Sequence, residues 1–138
     1  MTINGGRAVT AGILGSLAFS ALGIWVTPLL GLPRANPADM LAPDLGGNMA
    51  LGWAGHLAIG AVLAVIYALV AEQLPGPPAG RGALFALAPW LLAVLLSAMS
   101  GMLAAPMAMG SLLGHVGYGV VVGAIYGSVP PPLIPEIH

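Results

Sequence analysis

Cysteine and lysine are both missing from this 138-residue chain, and charge is scarce, with three arginines against four acids. Each absence closes off some chemistry. Without cysteine there is no disulfide framework, no thiolate metal site and no thiol nucleophile, so the redox compartment cannot be read from thiols. A net charge of −1 supplies no basic field, which excludes nucleic acid as a partner. Charged residues make up 5% of the chain, whereas a soluble domain carries about 25%. So few charges cannot cover a water-facing surface. What is present instead is apolar: 59% hydrophobic types and a mean hydropathy of +1.00. The chain reads as one integral membrane domain whose first partner is the lipid bilayer, with no room for a soluble catalytic domain.

Four runs, 7–27, 48–73, 82–102 and 109–129, are each long enough to cross ~30 Å of hydrocarbon. A secretory signal, with Arg7 as its basic start and 18–21 as its cleavage site, is set aside because a second spanning run follows where a polar mature domain would begin. The first run carries Gly12, Gly15, Gly23, Ser16 and Ser20, small residues that let helices, or a flat ligand, approach closely. In the loop 28–47, Asn36-Pro37-Ala38-Asp39 reads as a helix start, predicting a short interfacial helix closed by Gly46-Gly47. The stiff turn LPGPPAG (74–80) precedes Arg81, and Pro89 predicts a kink in the third span beside a mid-membrane Trp90. Pro106 falls in the 103–108 connection, and the proline-rich tail 130–138 is expected along the surface or against a partner.

One stretch occurs twice. GHLAIGAVLAVIYALV (55–70) and GHVGYGVVVGAIYGSV (114–129) are identical at seven of 16 positions, at an offset of 59. Gly6-Arg7 and Gly80-Arg81 stand at matching places before the first and third spans. A segment used twice predicts an all-α transmembrane four-helix bundle of two tandem helical hairpins, related by a pseudo-two-fold axis along the membrane normal. Arg7 and Arg81 on one side against Arg34 on the other place both termini in the cytoplasm of a bacterial inner membrane.

The repeat puts one imidazole in each half. His56 lies about 12 Å, and His115 about 9 Å, inside the outer ends of the second and fourth spans. The +4 glycines, Gly60 and Gly119, share their faces. In an up-down-up-down bundle those spans are diagonal, so both stripes face the axis. The arrangement resembles the ligation pattern of b-type cytochromes, over about 16 residues in each half. That resemblance implies one haem b, or a related tetrapyrrole such as a chlorophyll-type pigment, with His56 and His115 as axial ligands and Gly60 and Gly119 clearing space. Gly12 and Gly15 would do likewise at its edge. It further implies electron transfer with a quinol or a periplasmic redox protein. The chain departs from the pattern in having one histidine per helix and no arginine at that depth. As a whole it is also similar to uncharacterised small four-span bacterial membrane proteins with a repeated Gly-His motif, which implies topology and no chemistry.

Other readings stay open. No cofactor at all is one, with the imidazoles hydrogen-bonded inside an accessory or structural subunit of a larger membrane complex. Copper is another: Met40, Met49, Met99, Met102, Met107 and Met109 share the outer half with the histidines, and thioether plus imidazole suits Cu(I). Zinc lacks a third strong ligand. Tyr118, one turn after His115, can line the same pocket, whereas Tyr67 and Tyr126 lie about 16 Å below. No intramembrane carboxylate pair or nucleophile motif signals an independent catalytic activity.

Overall fold

The computed structural model describes residues 3–127. The proline-rich tail and the end of the fourth predicted span lie outside the described residues. Four helices are long and apolar enough to cross a membrane: α1 (Gly5–Leu29), α3 (Met49–Val70, extended by one tighter turn to Gln73), α4 (Pro78–Met99) and α5 (Ala105–Tyr126). The short α2 (Pro37–Leu41) sits in the first loop. This is a multi-pass, all-helical membrane protein folded as a four-helix bundle.

Local chemistry sets the ends. Asn4, Asn36 and Asn48 cap α1, α2 and α3, their side-chain oxygens accepting from the amides of Arg7, Ala38 and Leu51. Helices α4 and α5 open with Pro78 and Pro106 in their first turns, where a missing N–H costs nothing. They therefore start four residues before the expected 82 and 109. Helix α4 stops at Met99 because Gly101, at φ 72°, turns the chain: the amides of Gly101 and Met102 close onto the Ala98 and Ser97 carbonyls. Gly31 ends α1 in the same way, its own amide and that of Leu32 closing onto Pro28 and Thr27. Helix α1 passes through Pro28 by widening into a π turn at Leu22–Val26, which makes room for a ring that cannot donate. Pro89, in contrast, sits inside a continuous α4.

Glycines set the packing. Helix α1 crosses α3 where Gly12 meets the Gly60 backbone, and α4 crosses α5 where Gly82 meets the Gly119 backbone. The same kind of crossing thus recurs in each hairpin. Helix α5 turns Gly114 and Gly117 toward Phe19 and Leu22 of α1, and Gly119 and Gly123 toward α4. Packing therefore runs α3–α1–α5–α4. The remaining seam, between α3 and α4, is met by Tyr67 and Phe85, whose ring centroids are 5.4 Å apart. Tyr67 and Tyr118 join Ala11, Ala64, Ala71 and Val122 in the buried core. At the end where α1 begins, Arg7 donates to the Ile125 carbonyl of α5, satisfying a helix C-terminus.

Candidate functional site

His56 is held by the neighbouring helix α1, and His115 by its own helix. His56 Nε2 lies 3.0 Å from the Ser16 carbonyl and 3.0 Å from Ser20 Oγ, both on α1. A carbonyl can only accept, so Nε2 carries the proton and donates, and in the neutral ring Nδ1 keeps a lone pair. Ser20 Oγ donates to the same carbonyl at 3.0 Å. His115 is the other tautomer. Its Nδ1 lies 2.8 Å from the Ser111 carbonyl one turn back, so Nδ1 donates and Nε2 keeps the lone pair. Neither lone-pair nitrogen has a hydrogen-bond partner among the described residues, and neither is sealed from its surroundings.

Both rings line one cavity of about 110 Å³, with Ser16, Phe19, Ile59, Gly60, Leu63 and Tyr118. Its walls are apolar apart from the imidazoles, Ser16 and Tyr118. The Tyr118 hydroxyl donates to the Gly60 carbonyl, tying α5 to α3 across the middle of the bundle. Ser16 Oγ is buried and has no partner among the described residues. Trp53 lies beside His56, with ring centroids 6.3 Å apart.

Phe19 is the residue the sequence reading passed over. Its ring centroid lies 5.4 Å from His56 and 4.9 Å from His115. Nearly equal distances put it close to the plane that bisects the two imidazoles, within about 5 Å of their midpoint. A macrocycle ligated by both histidines would lie in that plane and reach past that point. Phe19 and such a ring compete for one place, so the residues as arranged do not fit a bis-histidine tetrapyrrole. The glycines agree. Gly60 is filled by Ser16 and Gly12, and Gly119 by Gly82 and Ala86, so neither opens a slot. Gly12 and Gly15 are likewise occupied, by the Gly60 backbone and by Tyr118 with Val122.

The methionines fall elsewhere. Met40, Met102 and Met107 line a second, outer cavity of about 80 Å³, which Phe19 and Ser111 also border. Histidine and thioether therefore line different cavities, and no group of three potential metal-ligating His, Cys, Asp or Glu exists among the described residues. Tyr67 and Tyr126 pack on each other, 6.0 Å between centroids, away from the histidine cavity. The signal that could have found this site is the serine pair: Ser16 and Ser20, four apart, mark the α1 face that also carries Phe19.

The chain belongs to a family of unknown function, DUF6789, whose model matches residues 3–132. No curated protein and no solved structure matches it.

Proposed function

We propose that this protein binds a small lipid-soluble molecule carrying hydroxyl donors, of the phenol or quinol class, between His56 and His115. One observation carries the reading: two imidazoles, each with one nitrogen that has no hydrogen-bond partner among the described residues, line a single, mostly apolar cavity inside a membrane bundle. Polar groups in a bilayer are expensive and mark sites. A ligand with O–H groups supplies what these nitrogens lack, and its ring suits the walls of Ile59, Leu63 and Phe19. Recognition by two acceptors on neutral rings favours donors and disfavours carboxylates, which have only acceptor oxygens to offer. No residue here is assigned a catalytic step. The arginine balance, Arg7 and Arg81 against Arg34, supports a topology with both termini on the cytoplasmic side of a bacterial inner membrane and the histidine cavity toward its outer leaflet.

The test is a titration of detergent-purified protein with an alkyl hydroquinone, read by Trp53 fluorescence in a Trp25→Phe/Trp90→Phe background. The dimethyl ether of the same probe, which has no donor, is the control. Saturable binding of the hydroquinone is expected, weakened about 2- to 10-fold in His56→Leu or His115→Leu, the equivalent of one lost hydrogen bond. Equal binding of the ether, or no effect of either histidine, overturns the reading. In that outcome the accessory-subunit reading takes over, with the imidazoles as packing groups.

A further inference from the structure

Phe19 borders two cavities at once. On one side is the histidine cavity, on the other the outer cavity of Met40, Met102 and Met107. The ring is seated: a methyl group on Gly114 would come 3.1 Å from three of its atoms, so the glycine that precedes His115 is the floor on which Phe19 rests. It also touches both imidazoles. One side chain on α1 thus spans the partition between spaces of about 110 and 80 Å³. Ser111 reaches the same partition from α5, bordering the outer cavity while its carbonyl fixes the His115 tautomer.

We infer that Phe19 sets the size limit of the histidine site, admitting a single aromatic ring and excluding fused rings and macrocycles. The inference rests on the binding reading above and adds which residue decides what enters. With the phenyl group present, a ligand held by both imidazoles ends against the ring. With the phenyl group removed, the histidine cavity continues into the methionine-lined one, and a second ring has somewhere to go. The thioethers suit that extension, because flexible methionine side chains repack around irregular apolar shapes.

The experiment compares an alkyl benzohydroquinone with an alkyl naphthohydroquinone, in protein retaining Trp53 as its only tryptophan, for Phe19, Phe19→Leu and Phe19→Ala. The native residue is expected to bind the two-ring probe at least 10-fold more weakly than the one-ring probe. Phe19→Ala is expected to bind the two equally or to invert the order, with Phe19→Leu between them. Should the alanine variant fail to fold, the leucine variant carries the comparison. Uptake of the two-ring probe by the variants alone, with the two probes bound equally or in inverted order, supports the assignment. An unchanged order of preference across the series overturns it, and so does the absence of two-ring binding in both variants. Failure of the binding reading shows separately, as hydroquinone and its dimethyl ether behaving alike on the native residue.

Discussion

Gly119→Ala tests the packing that places the site. A methyl group at Gly119 would lie 2.7 Å from Ala86 Cβ, 2.7 Å from the Gly82 carbonyl carbon, and nearer still to the Gly82 oxygen. Optimal separation between carbons is about 3.5–4.0 Å. None of these three atoms can rotate away, since two are backbone and one is a Cβ. Helices α4 and α5 must therefore separate by roughly 1 Å, a gap that forfeits a quarter to a half of each contact along the crossing. Overpacking of this kind costs about 1–3 kcal/mol, and the rigidity of the neighbours puts it in the upper part. The better helix propensity of alanine returns about 1 kcal/mol. The expected net loss is about 1–2 kcal/mol. Gly6→Ala is the control, because its methyl would meet only Asn4 Oδ1, at 3.9 Å. Gly82→Ala should cost about as much as Gly119→Ala, and the double variant little more than either, since helices already parted hold the second methyl without further strain. The assay is unfolding in mixed micelles with rising SDS fraction, followed by circular dichroism. Gly119→Ala matching or exceeding Gly6→Ala in stability refutes the reasoning, as does a double variant whose cost is the sum of the singles.

Four more expectations follow from the geometry. Nitrogen-15 NMR of histidine-labelled protein should find His56 protonated at Nε2 and His115 at Nδ1, opposite tautomers fixed by the Ser16 and Ser111 carbonyls; one shared tautomer would contradict one of the two assignments. Tyr118→Phe removes the hydroxyl that joins α5 to the Gly60 carbonyl and should cost about 0.6–1.5 kcal/mol in the micelle assay, no more, because that carbonyl belongs to a helix that still satisfies it. Arg7→Ala should cost about 1.5–3 kcal/mol by removing a charged donor from the Ile125 carbonyl, with Arg7→Lys recovering part of it. Native protein titrated with haemin should show no six-coordinate spectrum; a Soret band lost on His115→Ala would mean that Phe19 yields its place to a macrocycle.

The sequence was most informative where backbone chemistry decides the outcome. Asn36-Pro37 marked the start of α2, the short helix of the first loop. Helices α4 and α5 begin four residues ahead of the expected 82 and 109, because Pro78 and Pro106, at home in a turn, can equally occupy a first helical turn. The repeat pointed to His56 and His115, and both line one cavity. It could not say what each glycine does. Gly114 seats Phe19, whereas its counterpart Gly55 faces Leu41 and Leu45 of the first loop. Two identical Gly-His dipeptides thus serve different neighbours, since a repeat fixes helices and not what packs between them.

Phe19 was illegible for a related reason. A soluble helix declares its inner face by an apolar stripe against a polar one. Helix α1 is apolar on all sides, with exposed Ile13, Leu14 and Leu17 facing lipid as readily as Phe19 faces the bundle. Hydropathy therefore carries no information about which large side chain turns inward. Small and polar residues carry it instead: Ser16 and Ser20 are buried on one side of α1, and Phe19 shares that side. The same logic explains why two histidines alone suggested a macrocycle. Spacing brings two imidazoles to one level of the bundle, but the volume between them belongs to a third helix. A single phenyl ring on that helix occupies the place beside both imidazoles that a macrocycle would need.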